Sequence, residues 1–253
     1  VRQLRAEGQR IQIGVVGEVG ANYQPRSFDA EGERLWSDGG DRRVWLRGAP
    51  GLGKSYSARL VMQRALADQR DEREQLLIWV DSADVASVTE KFAVAADRLS
   101  PEGFAPAVTP DLPAGHKAKA LLEVLATSSW GWLIILDNAD ASALIEAGLV
   151  PSGVNPRGRV LLTTLSRDHR LQSHGRVVQA GVFSPAESTA FLSSGLHSRF
   201  GATDGSGSET TSAQLAEELG HHPLGLSIAI ATITAHDMDI ADSEDVKQSE
   251  TRL

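Results

Sequence analysis

The chain contains no cysteine among its 253 residues. Disulfide bonds, cysteine-ligated zinc sites and thiol catalysis are therefore excluded. No apolar run reaches the roughly 18 residues that a membrane-spanning helix needs, and no signal-peptide pattern opens the sequence. Basic residues are outnumbered, since 25 Lys and Arg stand against 33 Asp and Glu, a formal net charge of −8. We therefore expect a cytoplasmic protein without membrane contact, and we disfavour direct nucleic-acid binding except through a local basic patch.

One segment of the sequence has the pattern of a phosphate-binding loop. Residues 48–55 match G-x-x-x-x-G-K-[ST] at every fixed position, and they lie between a short apolar run and a helical pattern. Lys54 brings a positive charge to the outer phosphates of a nucleotide, and the Ser55 hydroxyl can bind Mg²⁺. The alternative of a plain glycine-rich turn is disfavoured because Lys and Ser are both in place. The residues predicted to bind nucleotide in this segment are Gly48, Gly51, Leu52, Gly53, Lys54, Ser55 and Tyr56.

Apolar runs of strand length alternate with helical patterns over the middle of the chain. This alternation is typical of βαβ units and of a mostly parallel sheet. The pattern predicts an α/β P-loop NTPase with a mostly parallel five-stranded sheet between helices, followed by a small all-helical lid subdomain. A Gly/Ser/Thr-rich stretch over 201–212 is predicted to be a loop, with a helix opening near Ala213. The predicted divisions are a lead-in over 1–30, a nucleotide-binding domain over 31–183, and a lid over 184–253 that ends in a disordered tail.

Further side chains after two of the predicted strands are candidates for the chemistry. Asp137 follows an apolar strand, where it can hold Mg²⁺ together with Ser55, although a helix-capping aspartate would suit the same pattern. Asn138 can orient a water molecule but cannot accept its proton, and Asp140 is favoured as a helix cap over a general base. Thr163 and Arg167 can present a hydroxyl and a guanidinium to a γ-phosphate, and a solvated arginine in a polar turn remains the alternative.

Together these motifs resemble the NB-ARC branch of the STAND class of ATPases, over about residues 17–236. Residues 48–55 are similar to its Walker A motif, and 132–140 are similar to its Walker B motif in bacterial members. Residues 163–167 are similar to its sensor-1 segment, from which the intervening Leu165 and Ser166 depart. The remaining two similarities are the Gly-Leu-Pro-Leu motif, over 219–226, and the adenine-reading segment, over 23–26.

The resemblance implies an adenine-nucleotide switch that uses ATP or ADP with Mg²⁺. It implies slow hydrolysis, with Lys54, Asp137, Asn138 and Arg167 as catalytic residues and a nucleotide-dependent homo-oligomer as the active form. Arg26 and Pro223 would lie at the base and ribose, and the lead-in would contact adenine. No winged-helix or repeat sequence follows the lid, so a minimal or truncated bacterial form is expected. Two alternatives stay open: a transcriptional or DNA-associated regulatory module, and an inactive nucleotide-binding scaffold.

Overall fold

The computed structural model divides the chain into two compact units. The first comprises residues 1–19, 27–49 and 54–180, and the second comprises 20–26, 50–53 and 181–253. Within the described part, no helix is both long and apolar enough to cross a membrane. The residues that the structure describes are 10–19, 23–26, 28–29, 42–67, 75–81, 84–99, 111–151, 155–200 and 205–235.

A parallel β-sheet forms the centre of the first unit. Its spatial order is β1-β3-β4-β5-β2-β6, and each neighbouring pair is parallel. All six residues of β3 are buried, as expected for a strand covered on both faces. The predicted parallel α/β architecture is confirmed. The strands are β1 (Arg10–Ile13), β2 (Arg43–Arg47), β3 (Gln75–Val80), β4 (Gly131–Leu136), β5 (Gly158–Thr164) and β6 (Arg176–Gln179).

The described sheet has six strands rather than the expected five. The additional strand is β1, whose four residues lie at the sheet edge and pair only with β3. So short a run carries little periodicity, and an edge position needs less apolar character than a central one, which explains why the sequence did not reveal it.

Helices and a buried aromatic set complete the first unit. Helices α2 and α3 pack against each other. Three strand tryptophans belong to the core, since Trp45, Trp79 and Trp132 are at most 3% exposed. The indole N–H of Trp45 donates to the Leu171 carbonyl at 2.9 Å, so its burial leaves no polar group unpaired. The helices are α1 (Lys54–Ala67), α2 (Val85–Leu99), α3 (Ala114–Thr127), α4 (Ala141–Glu146) and a 3₁₀ turn (His169–Ser173).

The second unit is helical over its C-terminal part. It contains α5 (Pro185–Phe200), α6 (Gly205–Glu218) and α7 (223–235). A capping box opens α5, since the Ser184 N–H donates to Glu187 Oε2 at 2.6 Å and the Glu187 N–H donates to Ser184 Oγ at 3.2 Å.

The helix expected near Ala213 begins eight residues earlier, at Gly205, so the prediction of a loop up to residue 212 is wrong. Packing of α6 against α5 overrides the low helix propensity of its Gly, Ser and Thr residues. Ser212 is buried in the middle of α6, where a loop residue was expected. The tail expected to be disordered lies outside the described residues.

Candidate nucleotide site

The glycine loop follows β2 and needs glycine for two separate reasons. Gly51 has φ +76° and Gly53 has φ +86°, both in the left-handed region that side chains disfavour. A Cβ at Gly51 would also lie 2.8 Å from His222 Cε1 and 2.8 Å from Leu224 Cβ, all within the second unit. Any larger residue at position 51 would therefore clash as well as strain the backbone. At the start of the loop, the Gly48 N–H donates to the Thr164 carbonyl at 3.3 Å.

Lys54 is the first residue of α1 and turns back over the loop. Its ammonium donates to the Gly48 carbonyl at 2.9 Å and to the Ala49 carbonyl at 2.8 Å. The side chain is buried, and this burial lowers the pKa of Lys54, while the Asp137 carboxylate acts in the opposite direction. A buried ammonium satisfied only by neutral carbonyls is well placed to exchange them for anionic phosphate oxygens.

The central feature of the site is a pair of oxygen ligands from two neighbouring elements. The Ser55 hydroxyl donates to Asp137 Oδ1 at 2.9 Å, which joins the end of the glycine loop to the carboxyl end of β4. The same oxygen accepts a bond of 2.5 Å from the Thr163 hydroxyl at the end of β5. In the sheet, β5 lies between β2 and β4. The side chains of Ser55, Asp137 and Thr163 therefore meet at the carboxyl ends of these parallel strands. A hydroxyl and a carboxylate side by side are oxygen donors that suit Mg²⁺.

The Thr163 hydroxyl, a candidate for contact with a γ-phosphate, donates to Asp137 Oδ1 and accepts the Asn138 backbone N–H at 2.8 Å. Asn138 itself is exposed and has φ +50°, a left-handed conformation that Asn tolerates better than most residues. The cap prediction for Asp140 is confirmed, since it is the N-cap of α4 and accepts the Ala143 N–H at 3.1 Å.

Arg167 and Tyr56, which were also predicted as site residues, lie at the surface of the first unit. Arg167 is exposed in the segment after β5 and has no hydrogen bond or ion pair within the described chain. Tyr56 is 45% exposed on the first turn of α1, and the Arg59 guanidinium lies 5.3 Å from the centre of its ring. The structure therefore connects Lys54, Ser55 and Asp137 by direct contacts or charge and leaves the other two at the surface.

Arg26 is buried in the second unit and holds the glycine loop. Its guanidinium donates to the Leu52 carbonyl at 3.0 Å and to the Gly181 carbonyl at 2.6 Å, and it lies 4.2 Å from the centre of the Phe183 ring. The resemblance placed Arg26 at the base and ribose, and the sequence did not indicate that its side chain bonds to the glycine loop. With the Leu52 carbonyl held in this way, the loop has less freedom to turn its N–H groups away from a ligand.

Pro223 is the buried first residue of α7. The preceding carbonyl, of His222, accepts the Leu226 N–H at 3.0 Å. His221 lies in the turn before the helix with φ +55°, and its Nδ1 is 2.8 Å from Ser188 Oγ. His222 therefore supplies the first backbone acceptor of α7, and the His221 ring bonds to α5 through Ser188.

Solved structures share the fold of this chain, whereas sequence comparison finds no match. No family model matches the chain, and no curated protein matches it. Domain III of the replication initiation protein DnaA from Thermotoga maritima is similar at TM-score 0.54 and 14% identity, covering 87% of this chain and 88% of that one. The ADP form of ORC2 from Aeropyrum pernix is similar at TM-score 0.51 and 18% identity, covering 89% and 67%.

A STAND protein with a tetratricopeptide repeat sensor from Pyrococcus horikoshii is also similar. Its TM-score is 0.51 at 14% identity, and the match covers 91% of this chain but only 32% of that one. This chain thus corresponds to about a third of the STAND protein. At such identities the likeness concerns the fold alone.

Proposed function

We propose that the chain is an adenine-nucleotide switch of the NB-ARC type, which binds ATP or ADP with Mg²⁺, hydrolyses ATP slowly, and couples nucleotide state to conformation and self-assembly. The observation that carries this proposal is the 2.9 Å bond between Ser55 Oγ and Asp137 Oδ1 at the end of a complete glycine loop. Support also comes from the fold shared with a STAND protein and with ORC2 in its ADP form.

Each polar group of the site has a defined part in this proposal. Ser55 and Asp137 would hold Mg²⁺, whose charge offsets that of the phosphates. Lys54 exchanges the Gly48 and Ala49 carbonyls for the outer phosphates. Arg167, which has no partner within the described residues, is the proposed cation for the γ-phosphate. Arg26 and Pro223 are proposed at the base and ribose, and the lead-in, domain and lid divisions over 1–30, 31–183 and 184–253 also remain proposals.

Slow hydrolysis follows from what stands next to Asp137. The neighbouring residue is Asn138, which can orient a water molecule but cannot accept its proton. The next carboxylate, Asp140, is engaged as the N-cap of α4. With no free carboxylate at hand in the described part of the site, we expect turnover well below the roughly 10 s⁻¹ that is typical of enzymes.

The test combines nucleotide titration with mass measurement in solution. Wild-type protein should bind ADP and a non-hydrolysable ATP analogue in the presence of Mg²⁺, and its mass should differ between the two. Lys54→Ala and Asp137→Ala should lose this response, whereas Lys119→Ala, which removes an exposed charge on α3, should keep it. Absence of nucleotide binding by the wild type would refute the proposal.

Two other results would favour the alternatives. Binding with an unchanged mass and no phosphate release would indicate an inactive scaffold. Salt-sensitive retardation of duplex DNA by this chain would indicate a DNA-associated module, which the net charge of −8 disfavours.

A further inference from the structure

Arg59 is a cation on the P-loop helix that the proposed site does not use. It lies on α1, four residues after Ser55, and it is half-buried. Its Nε is buried without a hydrogen-bond partner. Within the described residues Arg59 forms no ion pair. Its guanidinium carbon lies 5.3 Å from the centre of the Tyr56 ring. A partly buried guanidinium with no anionic partner is costly, because burial removes water without replacing its hydrogen bonds.

The guanidinium is held in place from a second side by the backbone of Gly17. A Cβ built at Gly17 would lie 3.3 Å from Arg59 Cζ and 3.4 Å from its Nε. The chain at Gly17 therefore packs directly on the guanidinium, and a side chain there would have to displace it. Held between Gly17 and Tyr56, the cation loses little freedom when it binds a ligand.

The position of Arg59 on α1 indicates which part of a nucleotide its guanidinium would bind. Helical side chains lean toward the helix N-terminus, so the guanidinium lies toward the first turn of α1. Backbone N–H groups of a glycine loop and of this first turn cradle the α- and β-phosphates, while the lysine reaches the β- and γ-phosphates. Lys54 and the Ser55–Asp137 pair therefore serve the outer phosphates, and none of these three described side chains is assigned to the α-phosphate.

We propose that Arg59 binds the α-phosphate of the nucleotide through its guanidinium, as a binding residue outside the P-loop motif. This proposal rests on the proposed nucleotide-binding function. A planar guanidinium suits two oxygens of one phosphate, and Tyr56 and Gly17 fix its plane. Arg59 would then contribute equally to the affinity for ATP, ADP and AMP, because all three share the α-phosphate.

The test compares Arg59→Gln with Arg64→Gln, which removes the same charge from an exposed position on the same helix. Dissociation constants are measured for adenosine, AMP and ADP. We expect Arg59→Gln to weaken AMP and ADP about 10- to 100-fold, the range of a charge-assisted hydrogen bond, and to leave adenosine unchanged. Arg64→Gln should stay within about twofold for all three ligands, since an exposed charge at this distance is screened. Without nucleotide, Arg59→Gln should melt no lower than wild type, because Arg59 has no carboxylate partner among the described residues.

Each other outcome has a definite meaning. If wild type binds ADP and Arg59→Gln matches Arg64→Gln, the assignment of Arg59 is wrong while nucleotide binding stands. If adenosine weakens as much as AMP, Arg59 contacts the nucleoside and the α-phosphate assignment is overturned. If wild type binds no ADP, the proposed function itself fails. Should Arg59→Gln not fold, Arg59→Lys replaces it: a loss of at least threefold for AMP but not for adenosine supports the assignment, and no loss overturns it.

Discussion

Replacing Thr163 by valine tests whether β5 positions Asp137, the proposed metal-binding carboxylate. Valine has nearly the shape of threonine, so the change removes the hydroxyl without opening a cavity. The hydroxyl is buried, with Thr163 only 1% exposed. It donates to Asp137 Oδ1 at 2.5 Å and accepts the Asn138 N–H at 2.8 Å, so two partners lose a bond at once.

The expected cost follows from these two bonds. A hydrogen bond to a charged carboxylate contributes about 1.5–3 kcal/mol. The Asn138 N–H is partly accessible to water, so its loss adds about 1 kcal/mol. Thr163→Val should therefore lower the free energy of unfolding by about 2.5–4 kcal/mol, which is about 5–15 °C in Tm for a domain of this size.

The neighbouring threonine supplies a matched control. Thr164 is equally buried on the same strand, but its hydroxyl donates to the neutral Ala139 carbonyl at 2.8 Å. Thr164→Val should cost only about 1–2 kcal/mol, as expected for bonds between neutral groups.

The second readout is the gain in nucleotide affinity on adding Mg²⁺. We expect that gain to fall about tenfold in Thr163→Val, which removes a bond that orients a metal ligand, and to stay unchanged in Thr164→Val. Thermal melting and titration with and without Mg²⁺ measure both effects. Equal losses of stability and an equal response to Mg²⁺ in the two variants would refute the positioning role of Thr163.

Three further changes probe the framework around the site. Gly158→Ala would place a Cβ 2.1 Å from Trp132 Cζ2 inside the core, so we expect a loss of about 3 kcal/mol in chemical denaturation, and unchanged stability would show that the ring can move. The Arg170 side chain holds the pKa of Asp168 well below its usual range, so Asp168→Asn should be less stable than wild type at pH 7. Their Tm difference should shrink as the pH falls below about 3.9, and a difference independent of pH would contradict this. Ser184→Ala removes a capping-box bond and should cost about 1 kcal/mol in urea unfolding, whereas Ser184→Thr should cost less.

The sequence predicted the helices and strands whose residues show a clear local hydrophobic pattern. The helix α2 has such a pattern, because its apolar residues recur at helical spacing from Val85 to Leu99. The strand β4 was also predicted, because it is a continuous apolar run that ends just before Asp137. By contrast, β1 depends on pairing with β3, and the start of α6 depends on packing against α5. Both are set by partners far away in the sequence, which a local pattern does not report.

The same distinction applies to the site. The glycine loop, Lys54 and Ser55 belong to one contiguous motif, so the sequence contains their spacing. The contact between Ser55 and Asp137 spans 82 residues, and it was anticipated only because the strand before Asp137 is so apolar. The bonds from Thr163 to Asp137 and from Arg26 to Leu52 depend on the order of strands and on the path of the chain around the loop. These side chains position the binding groups rather than provide them, and their residue types are common at the surface. Their roles therefore become visible only once the structure shows which buried acceptor each one satisfies.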